Sequence, residues 1–354
     1  MDYLIDDVRL NIYSLLTIKD IMNLSMTTTE GLIFLNNCIK YLDIRVNNPY
    51  IKDVSLFYFI GAKSIELINC SKITDAGMPY IQFTKKIRLI NCNITDIGLS
   101  YLNNVENIVL MNCHNITDIG LSYLNNIEEI ILININITDV ALENFKNIKT
   151  IFIGNCSKIG NKGLSYLKNV QNITIENCNK VKDIGLSYLT NIKFISIVNC
   201  KNITDIGLSY LKNVQTITLS YCPNITDQGI YYLENVENIQ IHACSQITHV
   251  GISYLTRAKI IKINNINITD ETLKYLKNSE ILTFYNCNNI TVEGLNYLEN
   301  VKDLNITQCK NIIGKSLKNL NKLKFINLYF CGAITYDDII FLKDKNVKII
   351  LHNC

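Results

Sequence analysis

One spacing dominates this chain of 354 residues. The position held by Cys113 recurs as Cys70, Cys92, Cys113, Ile135, Cys156, Cys178, Cys200, Cys222, Cys244, Ile266, Cys287, Cys309, Cys331 and Cys354, at intervals of 22 residues apart from three of 21 and a last one of 23. A period in the range of about 20 to 50 residues means stacked repeats. Between Val105 and Cys113 the apolar Ile108 and Leu110 alternate with Asn107, Val109 and Met111, the period of two that belongs to a strand with one buried face. A turn follows at Thr117 and Asp118, and Gly120, Leu121 and Leu124 then suit one face of a short helix, with Asp118 placing negative charge at its start. A unit this small cannot bury its own apolar side. Ile108, Leu110, Cys113, Ile116, Leu121, Leu124 and Ile127 must therefore stack on their equivalents in the flanking units.

The chain has 13 cysteines, and the column explains all but Cys38 as packing. Neighbouring strands lie about 4.8 Å apart, close enough for a disulfide by Cα distance, but parallel side-chain vectors do not meet its geometry. A zinc site would need ligands converging on one point, whereas these thiols form a line. Ile135 and Ile266 stand in the same column while the repeat continues, so the position demands a compact apolar side chain. Free thiols and no metal are expected. Asparagine before the cysteine (Asn91, Asn112, Asn134, Asn155, Asn177, Asn199) and later in the repeat is expected to satisfy turn backbone.

The repeat I-T-D-x-G-L after the cysteine, as in Ile203, Thr204, Asp205, Gly207 and Leu208, resembles the cysteine-containing class of the leucine-rich-repeat family. The resemblance runs from about Leu42 to the C-terminus, and residues 41–354 would hold about 14 repeats of 21–23 residues. It implies an α/β solenoid, a horseshoe with a parallel sheet on its concave side and short helices outside. The composition agrees with such a shape, since 48% apolar residues suffice for a long continuous core.

Residues 1–40 do not follow the period. Val8, Ile12, Leu15 and Leu16 have helical spacing, and a second run from Lys19 through Ile21, Leu24 and Ser25 continues after a break at Thr17 and Ile18. Leu4, Ile5, Asp6, Asp7 and Val8, followed by Ile12, Leu15, Leu16, Ile18, Lys19, Asp20, Ile21, Leu24 and Ser25, resemble an F-box, which reads L-P-x-E and then an apolar helix and L-s-x-K-D-L-x-x-h-S. Ile5 stands for the proline, Asp7 for the glutamate, and Met26 to Glu30 lacks the usual ending. The resemblance implies that Leu4, Ile5, Val8, Ile12 and Leu16 contact an SKP-family adaptor, and through it a cullin, in a ubiquitin ligase. The repeats would then hold a target protein. The alternative is a protein-binding scaffold in which residues 1–40 only cap the first repeat.

A target would meet the side chains two, four and six positions before the cysteine column, which point away from the core. In the N-terminal half these are Ile68, Ile90, Val109, Met111, Ile131, Ile133 and Phe152; further on they are Thr174, Glu176, Ser196, Thr218, Ser220, Gln240, His242, Lys262 and Asn264. Contiguous exposed apolar area marks a protein interface, while the β-propensity of isoleucine offers a plainer origin for the first group. Met111 and Phe152 are the expected hot spots.

Other function classes find no support. The net charge of +3 is spread along the chain without a basic stripe, which argues against nucleic acid. No stretch reaches transmembrane length, and the residues from Met1 on lack a basic region followed by an apolar run, so an intracellular protein, cytoplasmic or nuclear, is expected. The 4 histidines sit in no nucleophile or zinc motif and no Gly-rich phosphate loop occurs, so neither catalysis nor a cofactor is expected.

Overall fold

A computed structural model describes residues 39–309, 311, 317, 320–330, 340, 342–343 and 346–352. It divides at Ile159/Gly160 into two compact units. The first contains β1 (Asp43–Asn47), β2 (Ser64–Ile68), β3 (Lys86–Ile90), β4 (Asn107–Met111), β5 (Glu129–Ile133) and β6 (Thr150–Gly154). These pair in parallel and in sequence order, each strand with the next. The second contains β7 (Asn172–Glu176), β8 (Phe194–Val198), β9 (Thr216–Ser220), β10 (Asn238–His242), β11 (Ile260–Asn264), β12 (Ile281–Tyr285), β13 (Asp303–Thr307), β14 (Phe325–Tyr329) and β15 (Lys348–His352), paired in the same way. β1 begins one residue after Leu42, the expected start of the repeats. Every strand is five residues long, and in β1–β14 its second and fourth residues fill the core, whereas Ile349 and Leu351 of β15 are half-buried.

The core follows the expected columns. Ile108, Leu110, Cys113, Ile116, Leu121 and Leu124 are each at most 1% exposed. Ile127 departs from that set and is half-buried, although Val105 and Ile148 at the same beat are buried. Ile135 and Ile266 are buried like the cysteines around them. The ten described cysteines are free and buried. Their thiols are not merely apolar filler: Cys113 Sγ donates to the Leu89 carbonyl of the preceding repeat at 3.4 Å and Cys222 Sγ to that of Ile197 at 3.4 Å. Burial pushes the thiol pKa of Cys92 up to about 12.

The residue before the cysteine occupies a special place. Asn69, Asn91, Asn112, Asn134, Asn155, Asn177 and Asn199 all have φ between 49° and 54°, the left-handed region in which asparagine is favoured among residues with a side chain. That turn lets each backbone N–H extend the ladder, as Asn91 N does to the Met111 carbonyl at 2.9 Å. Their amides then bond to one another, Asn91 Nδ2 to Asn69 Oδ1 at 2.6 Å and Asn112 Nδ2 to Asn91 Oδ1 at 2.7 Å. The expectation that asparagines satisfy turn backbone holds for those later in the repeat, such as Asn202 Nδ2 donating to the Asn179 carbonyl at 2.6 Å, and is corrected for Asn91 and Asn112, which set the turn through φ and donate their amides to the preceding repeat.

The I-T-D-x-G-L beat is a clamp between repeats. Asp183 Oδ1 accepts from Thr204 N at 2.7 Å and Asp183 Oδ2 from Thr204 Oγ1 at 2.8 Å. The same Thr204 hydroxyl accepts from Ile206 N and caps its own helix, Asp205–Ser209. Gly207 is required because a Cβ there would stand 2.6 Å from Asp183 Oδ1; at Gly77 the corresponding approach is to Asp53 Oδ1 at 2.7 Å. Asn161 replaces the aspartate and still accepts from Lys182 N at 2.8 Å, but replacement by His249 changes the whole clamp. Thr269 N there turns instead to Thr272 Oγ1 at 3.2 Å, and Thr272 stands where glycine would be. At the start of the second unit Gly160 takes the place of threonine and supplies no side-chain cap.

Candidate protein-binding face

In the first unit, register aligns two columns on the open face of the sheet. The last strand residues run Ile68, Ile90, Met111, Ile133 and Gly154, and the middle residues run Arg45, Glu66, Arg88, Val109, Ile131 and Phe152. Ile68, Ile90, Met111, Ile131, Ile133 and Phe152 are therefore brought onto one surface, each half-buried. Strands stacked about 4.8 Å apart shield their neighbours' side chains, which lowers exposure without turning them into core. Val109 corrects the expectation of an exposed residue: it is 7% exposed, hemmed between Arg88 and Ile131. Ser196 in the second unit is likewise covered at 8%.

Phe152 is accommodated by Gly154 on its own strand. A Cβ at Gly154 would lie 2.7 Å from Phe152 Cε1, so the ring occupies the space a side chain there would take. That pairing was readable in the sequence as the single glycine in the outward column, beside its phenylalanine, but only the strand phase reveals it.

Beside the apolar patch stands a charged row. Glu66 accepts from Arg45 Nε at 3.0 Å and from Arg88 Nε at 2.9 Å, so one carboxylate holds two guanidinium groups. Asn107 Nδ2 donates to Glu129 Oε2 at 3.1 Å. At the end of the row Ser64 Oγ donates to Asp43 at 2.6 Å, and that bond, aided by Lys63, holds the Asp43 carboxyl below its ordinary range. A shallow groove lined by Lys86, Arg88, Val109, Glu129 and Ile131 joins the charged row to the apolar patch.

A second apolar row escaped the sequence reading. The residue between Asp and Gly of the beat is Ile97, Ile119 and Val140 in three successive repeats, and these are 65%, 62% and 53% exposed. They lie at the starts of the helical segments, on the side opposite the strands' open face.

The residues assigned to an adaptor, Leu4, Ile5, Val8, Ile12 and Leu16, lie outside the described residues, as do Cys331 and Cys354 of the column. Among the described residues no three of His, Cys, Asp and Glu gather as metal ligands, and no helix is long and apolar enough to cross a membrane. His242 and Cys244 point to opposite sides although they are two residues apart, because the left-handed Ala243 between them (φ 50°) breaks the strand alternation: the cysteine is buried and His242 Nε2 meets Tyr221 Oη at 2.8 Å.

No protein-family model matches the chain, and no curated protein is significantly similar in sequence. Solved structures do match in shape. An internalin, InlF of Listeria monocytogenes, superposes with a TM-score of 0.56 at 21% identity, covering 86% of this chain and 89% of that one. Rad7, solved in complex with Elc1 in yeast, gives 0.55 at 15% identity over 99% and 93% of the two chains. TLR13, solved with ssRNA13, gives 0.58 at 14% identity, over 87% of this chain and 54% of that one. With the strand-and-short-helix repeat, these likenesses show the fold: a repeat solenoid of the leucine-rich-repeat type.

Proposed function

We propose that the chain is the non-catalytic substrate-recognition subunit of a cullin-based ubiquitin ligase. Residues 1–40 act as an F-box, with Leu4, Ile5, Val8, Ile12 and Leu16 on an SKP-family adaptor, and the repeats of 41–354 hold a target protein. The work is positioning, because stacked units of fixed register can hold a target at a set distance and angle from a ligase. Such a protein acts inside the cell, in cytoplasm or nucleus.

The observation that carries target binding is the patch of Ile68, Ile90, Met111, Ile131, Ile133 and Phe152, which lies on an open sheet face with a charged row beside it. Apolar centre and polar flank is the anatomy of a protein interface. Rad7, a protein of this fold solved as a complex with Elc1, supports an assembly in which a solenoid of this kind carries a second protein.

Pull-down of a purified SKP-family adaptor tests the ligase link. Wild type is expected to retain the adaptor, and Val8→Asp with Ile12→Asp to lose it. Absence of binding by wild type would leave a protein-binding scaffold whose residues 1–40 serve as a cap.

A further inference from the structure

The second unit carries a groove of different chemistry. It crosses β9–β12, encloses about 330 Å³ and is lined by Thr218, Ser220 and Gln240 on one side and Thr283 and Tyr285 on the other. Lys262 and Asn264 of β11 lie between them. Across β7–β14, Lys262 is the single lysine or arginine within a strand. Its register neighbours are the neutral Gln240 and Thr283, and no carboxylate lines the groove. Among the described residues Lys262 has no ion-pair partner, in contrast to Arg45 and Arg88 of the first unit, which share Glu66. An exposed cation left unpaired among hydroxyls and amides is a place where an anion gains charge-assisted hydrogen bonds without displacing an existing pair.

Two further observations point to the same groove. Asn264 lines the groove with Lys262, and its buried Oδ1 has no hydrogen-bond partner within the protein. The asparagine row also breaks beside the groove, where Tyr221 and Ala243 hold the left-handed position with φ 53° and 50°; it breaks again at Gln308 and Phe330, with φ 55° and 51°. In place of an amide bond, the Tyr221 hydroxyl meets His242 Nε2, with the rings edge-on at 4.8 Å, and this aromatic pair adjoins the groove.

We propose that the groove across β9–β12 binds an extended acidic peptide, with a Glu or Asp carboxylate on Lys262 and its peptide groups on the lining side chains of Thr218, Ser220 and Gln240. One lysine among neutral donors suits a monoanion; a phosphate dianion is ordinarily held by clustered arginines. The proposal goes beyond the ligase role and stands whether or not residues 1–40 engage an adaptor.

The test is fluorescence anisotropy of the full chain with a labelled peptide of six Thr-Glu repeats, beside the same peptide with Gln or phosphothreonine in place of Glu. Wild type is expected to bind the Glu peptide about tenfold more tightly than the Gln peptide, and Lys262→Gln to lose about tenfold, with an unchanged melting temperature. Lys262→Arg should restore most of the affinity, and Lys168→Gln, on the same unit and outside the groove, should change it less than about twofold. Equal binding of the Glu and Gln peptides, equal loss in the Lys168 and Lys262 variants, or no binding by wild type would overturn the proposal. Tighter binding of the phosphothreonine peptide would overturn the assignment of a carboxylate.

Discussion

The sheet face of β3–β6 and that of β9–β12 share one register and carry opposite chemistry. On the first, Ile90, Met111, Ile131, Ile133 and Phe152 crowd together beside cations already paired with Glu66. On the second, Thr218, Ser220, Gln240 and Asn264 surround an unpaired lysine. Clamps in the two regions match to within a tenth of an ångström, Asp96 accepting from Thr117 at 2.8 and 2.6 Å and Asp205 from Thr226 at 2.8 and 2.6 Å, although the second region lacks the clamp at Thr269. What repeats builds the fold, and what fails to repeat distinguishes the surfaces.

The sharpest way to break this comparison is to cut the core beneath one strand face and trim the surface above it. Leu110→Ala removes a side chain with no exposure and should cost about 2–5 kcal/mol in denaturant unfolding. Met111→Ser, one residue on and half-buried, should cost about 1 kcal/mol, since only part of its area leaves water on folding. Similar losses from both would mean that the open face is core.

The clamps should respond alike in the two units. Asp96→Ala and Asp205→Ala each remove an ionised acceptor from a backbone N–H and a hydroxyl, and each should cost about 2–3 kcal/mol. A difference of more than about 1 kcal/mol between them would show that equal geometry does not mean equal contribution. A smaller effect of opposite sign is expected at the break in the asparagine row. Ala243→Asn puts a residue tolerant of the left-handed region at φ 50° and should stabilise by about 0.5–1 kcal/mol.

The thiols give a further check with no mutation. Ten of the thirteen cysteines are described and all ten are buried, so at pH 8 without denaturant no more than three should react quickly with a thiol reagent. With its pKa near 12, Cys92 has about one part in ten thousand as thiolate at that pH. Rapid reaction of more than three thiols would indicate open repeats.

Much of this was legible in the sequence because it depends on neighbours within one repeat. The strand phase at Ile108 and Leu110 and the outward side chain at Met111 follow from alternation, and the packing role of Cys113 follows from the isoleucines that share its column. The partners of Asp118 were not legible. Its charge reads as a helix-start preference, yet the carboxylate accepts from Thr138 N at 2.7 Å, twenty residues on in the next repeat. The left-handed φ at Asn112 and the burial of Val109 were hidden for the same reason, as both are consequences of stacking. The exposed row of Ile97, Ile119 and Val140 was visible as letters, but apolar residues between Asp and Gly read as filling until their exposure is known.

The central claim is that the open apolar face of β3–β6 captures the target separately from adaptor binding. Affinity capture from cell extract with mass-spectrometric identification, run on wild type and on Ile90→Ser/Met111→Ser/Ile131→Ser, tests it directly. The account predicts that the variant melts as a folded protein and keeps the SKP-family adaptor while losing the other proteins that wild type retains. An unchanged set of partners on the folded variant would contradict it.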